Sequence, residues 1–262
     1  MLFRSHLNFL ETEQRERFIR TILQASPDAL LISGDIGESQ DFSIYLKEIE
    51  SKYQKPIYFV LGNHDFYYGS ISDVCAEADR LGRQYPNLCW LTGRNEPVEI
   101  GERTGLIGHE SWADGRNGDF FGSQIIMNDY LLVKDLFNLD QKTLLKKLNA
   151  LGKKAAEEIE GKVARGFSSF DRLVLVMHIP PFEQACAYDG ILSTQEWLPH
   201  ISCKAVGDCL LKMMNERPEK ELTILCGHTH GISVARLLDN LVVLTGEAEY
   251  SSPAIQCVFE IA

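Results

Sequence analysis

The chain has 262 residues, 45% of them apolar, which is ample for a buried core and argues against a disordered protein. Its 37 Asp and Glu against 26 Lys and Arg give a net charge of −11, which argues against a general nucleic-acid-binding surface and against an anionic membrane as partner. Any phosphate handled by such a chain needs positive charge supplied locally.

At the start, Arg4, Ser5 and His6 interrupt any apolar run of the length a signal peptide needs. Residues 13–25 place Phe18, Ile19, Ile22 and Leu23 on one helical face, and 29–32 form a short apolar strand. A helix capped by Ser39 and carrying Phe42, Leu46 and Ile49 comes next, followed by a strand at 57–61. Residues 140–165 carry Leu144, Leu145, Leu148, Leu151, Ala155, Ile159 and Val163 at helical spacing, with lysines and glutamates between them. Two more apolar strands are expected at 173–177 and 222–226. Beyond Gly231, residues 232–238, 241–245 and 254–261 read as successive strands of a closing antiparallel section, turning at Asp239-Asn240.

Short apolar strands alternating with amphipathic helices indicate an α/β fold, read as one domain over 1–262 with two sheets and a helical excursion at about 121–166. No apolar run approaches the roughly 20 residues that span a bilayer, so no membrane partner is expected. The seven cysteines are scattered and include no C-x-x-C pair, which suggests neither a disulfide framework nor a zinc ribbon. A reducing cytoplasm is the expected location.

Each of the four interior strands is followed at once by residues able to bind metal. They are Gly34-Asp35, Gly62-Asn63-His64-Asp65, His178-Ile179-Pro180-Pro181 and Gly227-His228-Thr229-His230. Loops beyond the carboxyl ends of strands converge in open α/β sheets, so separation in sequence is no obstacle. A carboxylate, a carboxamide oxygen and the imidazoles of His178, His228 and His230 suit manganese, iron or zinc better than calcium. Together they exceed one tetrahedral set, whereas two ions roughly 3.5–4 Å apart, bridged by Asp35, would use them all. Singly each element is weak; Gly-His-Thr-His is the more specific, because side chains two residues apart in an extended segment share a side.

With its four blocks in this order, the sequence resembles the calcineurin-like metallophosphoesterase superfamily, whose blocks are D-x-H, G-D, G-N-H-D/E, a lone His and G-H-x-H. The resemblance runs from His6 to the strands after His230 and implies a four-layer sandwich of two mixed β-sheets flanked by α-helices. It further implies two divalent metal ions and hydrolysis of a phosphomonoester or phosphodiester, with a metal-bound hydroxide as nucleophile. Carried over by position, Asp35 is the bridging ligand, Asn63, His178 and His228 complete one ion's set, and His6 and His230 serve the other. His64 contacts the substrate phosphate and assists the departing oxygen, oriented by Asp65.

The first block departs from the pattern, since Arg4-Ser5-His6 puts an arginine where the family has an aspartate. That removes one carboxylate ligand: either the start is displaced or altered relative to a fuller chain, or the first metal site is weakened and keeps only Asp35, His6 and His230, with Arg4 expected to turn outward or to contact substrate phosphate. The competing reading is a catalytically weak scaffold that keeps this fold and binds protein partners. Residues 108–116 have two readings as well. In one they form a substrate-side loop, with Arg116 pairing a phosphate, Trp112 stacking on a ring and His109 near the metals; in the other they hold a packed tryptophan and a surface ion pair.

Overall fold

A computed structural model describes residues 2–4, 6–188 and 190–261, with side chains from His6 onward. In chain order the elements are β1 (Leu2–Arg4), α1 (Thr12–Ala25), β2 (Leu30–Ser33), α2 (Phe42–Tyr53), β3 (Ile57–Val60), α3 (Ile71–Gln84), β4 (Leu88–Trp90), β5 (Val98–Gly101) and β6 (Thr104–His109). After these come α4 (Asp129–Leu132), α5 (Gln141–Ser169), β7 (Arg172–Met177), β8 (Ala187–Tyr188), β9 (Ile191–Leu192), α6 (Leu198–Ile201), α7 (Lys204–Asn215), β10 (Glu221–Cys226), β11 (Ser233–Leu238), β12 (Leu241–Thr245) and β13 (Ala254–Cys257).

Two mixed sheets result, one in the order β13-β1-β2-β3-β4 and one in the order β11-β12-β10-β7-β6-β5. In the first, β1 to β4 run parallel and β13 is antiparallel to β1. In the second, β12, β10, β7 and β6 run parallel, with β11 and β5 antiparallel at the two edges.

The two-residue period of a strand explains the layering. Leu30 and Ile32 of β2, with Ile57 and Phe59 of β3, face a core filled by Phe18, Ile22, Phe42, Leu46, Val74 and Leu81 of α1, α2 and α3. Leu31 and Val60 face the other way and meet Leu106, Val176 and Leu225 of the second sheet. On that sheet's outer face Leu173, Leu175, Leu222 and Ile224 pack against Ile159 and Val163 of α5 and Leu210 and Met213 of α7. The four-layer α/β/β/α sandwich follows from these three cores.

Several local expectations shift. Asp41, not Ser39, stands at the start of α2. Asp140 caps α5 by accepting from the Lys142 and Thr143 amides, and the helix runs on to Ser169. Within the stretch read as a helical excursion, α5 is no appendage: Leu144 and Leu148 belong to the first core and Ala155 to Phe167 to the second. The closing strands are not one antiparallel section, for β12 is parallel to β10 and β13 crosses to the first sheet to pair with β1. Among the described residues no helix is long and apolar enough to cross a membrane.

Candidate metal centre

Every candidate ligand stands at or just beyond the carboxyl end of a parallel strand: His6 after β1, Asp35 after β2, Asn63 after β3, His178 after β7, and His228 and His230 after β10. The two sheets are tied together there, since His178 Nδ1 lies 2.7 Å from the Ser33 carbonyl at the end of β2. A carbonyl only accepts, so Nδ1 carries the hydrogen of that bond and Nε2 is turned inward. His230 is held the same way, with Nδ1 2.9 Å from the Ala248 carbonyl.

The inward atoms crowd. His178 Nε2 lies 2.9 Å from Asn63 Oδ1, His228 Nδ1 lies 3.1 Å from the same oxygen, and the two imidazole nitrogens are 3.3 Å apart. Asp35 Oδ1 is 3.4 Å from His178 Nε2, while its Oδ2 faces the opposite way, 3.6 Å from His6 Nε2. Lone pairs aimed at lone pairs repel unless a cation or proton sits among them, and neighbouring ligands of an ion with bonds of ~2.1 Å stand roughly 3 Å apart. The donor set therefore fits a divalent ion on the Asn63 side of Asp35. The His6 side adds the imidazole of His64, since ligand atoms of His6, Asp35 and His64 all lie within 4.8 Å of one another. His230 stacks on His6 with ring centroids 5.4 Å apart.

The backbone is bent to make this cluster. His6, Asp35, His228 and His230 all have positive φ, at 40°, 55°, 71° and 59°, a conformation uncommon outside glycine. Gly34, with φ 96°, and Gly62 supply the remaining room: a Cβ on Gly34 would stand 2.6 Å from His178 Nδ1, and one on Gly62 2.1 Å from Asp35 Oδ1.

Two sequence expectations are corrected. Asp65 does not orient His64. Its Oδ1 accepts from the Ile36 and Gly37 amides at 2.9 and 2.8 Å and its Oδ2 from the Gly62 amide at 2.7 Å, so it fastens the loop after β2 to the loop after β3. Burial, with the Asp35 carboxylate adding to it, pushes the Asp65 carboxyl up against the pull of these three donors. Arg116 is likewise committed elsewhere, to Asp114 Oδ2 at 2.7 Å and the Asn149 carbonyl at 3.1 Å. The loop's other groups are also structural: Trp112 packs on Phe66 with centroids 5.0 Å apart, and His109 Nε2 pairs with Glu158 at 2.8 Å. The side chain of Arg4 lies outside the described residues; its backbone pairs with Ala254 in β13.

Three neighbours of the cluster carried no signal in the sequence. Asp129, at the start of α4, accepts from Asn63 Nδ2 at 2.7 Å and from the Tyr67 hydroxyl at 2.9 Å. Burial raises its carboxyl, while the bonds from Asn63 and Tyr67 lower it. Burial, and then the Asp129 charge, pushes the Tyr67 hydroxyl up. Tyr250 sets its ring 4.7 Å from that of His6 and 5.0 Å from that of His230.

Comparison with known proteins agrees with this architecture. Residues 11–231 match the calcineurin-like phosphoesterase family. The phosphopantetheinyl hydrolase of Mycobacterium tuberculosis superposes with a TM-score of 0.65 at 14% identity, over 95% of this chain and 89% of that one. A dimetal phosphatase from Danio rerio gives 0.56 at 12% identity, over 92% and 79%. A protein of Thermus thermophilus, TT1561, gives 0.55 at 14% identity, over 95% and 89%. These likenesses are of fold. No curated protein matches the sequence.

Proposed function

The chain belongs to the calcineurin-like phosphoesterase family, whose chemistry is metal-dependent phosphoester hydrolysis, and on that premise we propose that it cleaves a phosphomonoester or phosphodiester at a dinuclear metal centre. Asn63, His178 and His228 would hold one ion, His6 and His230 the other, with Asp35 shared between them. Manganese, iron and zinc all suit such nitrogen and oxygen donors. Bound divalent ions lower the pKa of coordinated water from 15.7 toward about 7 and neutralise charge building on the phosphoryl oxygens.

The observation that carries this reading is the convergence on Asp35, whose two oxygens face His178 on one side and His6 on the other. Around it the chain supplies orientation. Carbonyl bonds to Nδ1 orient His178, with Nε2 turned to Asn63 and Asp35, and His230, and the buried Asp65 keeps the two ligand loops in register. His64 is more exposed than His6 and Asp35, as a group meeting substrate must be. It is assigned the substrate phosphate and the proton delivered to the departing oxygen. Its backbone amide donates to Asp35 Oδ1 at 3.1 Å, which fixes its distance from the centre. Seven free cysteines support a reducing, cytoplasmic setting.

Protein stripped with chelator and reloaded with Mn tests the assignment against aryl phosphate mono- and diesters. Turnover that vanishes on stripping and returns on reloading is the expected result. The scaffold reading, favoured by Arg4 in place of an aspartate, predicts no turnover in either state.

A further inference from the structure

We propose that Asp129, which lies outside every metal-binding block of the sequence, is a positioning residue that selects the orientation of the Asn63 amide and so presents Oδ1 to the metal. The inference rests on the metal centre proposed above.

An asparagine ligand carries an ambiguity that histidine and aspartate lack. Its amide can turn over, exchanging an acceptor oxygen for an NH2 group that repels a cation. Something must distinguish the two ends. A carboxylate only accepts, so it can pair with Nδ2 and not with Oδ1. Asp129 Oδ1 does this at 2.7 Å, and the Tyr67 hydroxyl, itself donating to Asp129 at 2.9 Å, accepts a second bond from Nδ2 at 3.0 Å. Both amide protons are thereby engaged, and Oδ1 is left facing His178 and His228.

All three side chains are buried: Asn63 is 5% exposed, Asp129 5% and Tyr67 3%. Keeping a carboxylate there is costly unless its bonds compensate, and two of the bonds it makes are to the ligand itself and to the ligand's other partner. The segment carrying Asp129 is seamed to the loop carrying Asn63. Leu132 O accepts from the Tyr68 amide at 2.8 Å, Gly69 O from the Lys134 amide at 3.0 Å, and Asp135 Oδ2 from the Ile71 amide at 2.7 Å. The 129–135 stretch is thus placed by its bonds to 63–71, and the long connection between β6 and β7 becomes part of the metal centre.

The test is metal affinity, measured by Mn titration on chelator-stripped protein, together with the visible absorption of the Co-loaded form. Asp129→Ala should weaken the Asn63-side ion by roughly 10- to 100-fold, the usual cost of losing a partner behind a metal ligand, and should alter the Co spectrum. Asp129→Asn, whose carbonyl can still accept from Nδ2, should recover part of both. If Asp129→Ala fails to fold, Tyr67→Phe decides, because it keeps the ring and removes one of the two Nδ2 partners; it should weaken the same ion. Variants that fold and bind within twofold of the parent, with an unchanged Co spectrum, overturn the inference. A parent that binds no metal overturns the metal centre itself, a separate outcome.

Discussion

Gly62 lies against Asp35 so closely that a β-carbon on it would stand 2.1 Å from Oδ1 and 2.3 Å from the Asp35 amide nitrogen. No flexible side chain is available to yield, since one of these atoms is backbone and the other belongs to the carboxylate shared by both sides of the cluster. Gly62→Ala is therefore expected to displace Asp35, to lower bound metal, and to cost at least about a hundredfold in aryl phosphatase rate, as misplacements near 1 Å do. Elemental analysis beside the rate assay checks both; an alanine variant with full metal and full rate would show that the loop relaxes freely.

His64 is assigned to substrate rather than to metal, though its ring centroid is only 4.7 Å from that of His6. The two roles separate on replacement. His64→Ala should lower kcat by about 10²- to 10⁴-fold with metal content unchanged. Loss of an ion in that variant would instead make His64 a ligand.

Lys162 is 2% exposed and its ammonium shares three N–H donors among the carbonyls of Leu91, Thr92, Arg94 and Gly108, at 2.7, 2.8, 2.7 and 3.1 Å. It ties α5 to the ends of β4 and β6, and burial lowers its pKa to about 8. Lys162→Met keeps the stem but leaves these carbonyls without their donor, so stability should fall by about 2–4 kcal/mol in denaturant unfolding. An unchanged midpoint would mean that water replaces the ammonium without cost.

His200 is 3% exposed, lies 2.7 Å from the Tyr130 hydroxyl, and has its pKa lowered to about 4, mainly by burial. The folded value is below the unfolded one, so the unfolded chain binds the extra proton first. The contribution is complete above about pH 6.5 and is lost as pH falls toward 4, by up to about 3 kcal/mol. His200→Gln should flatten that part of the pH–stability curve; equal slopes in the two proteins would remove His200 as its source.

Much of the cluster of candidate ligands was legible because chemistry and strand ends coincide. Asp35, Asn63, His178, His228 and His230 each follow an apolar run, and parallel strands bring such ends together whatever their spacing. Asp129 was not legible: it lies 66 residues from Asn63 in a stretch without strong periodicity, and only the folded chain joins them. Asp65 and Arg116 were misread for a related reason. Composition shows a charge but not which donor or acceptor takes it, and here backbone amides and Asp114 do. The path of β13 was hidden because pairing at a sheet edge depends on a partner at the far end of the chain, Arg4 for Ala254, rather than on local pattern.

The most direct test is metal stoichiometry by elemental analysis, with affinities from Mn titration, on the parent and on His228→Ala. Two ions per chain are predicted, the tighter on the Asn63 side, where the ligand set is intact, and the weaker beside His6, where position 4 supplies arginine instead of a carboxylate. His228→Ala should lose or weaken the tighter ion alone. A parent chain that takes up no divalent metal at millimolar concentration would contradict the account.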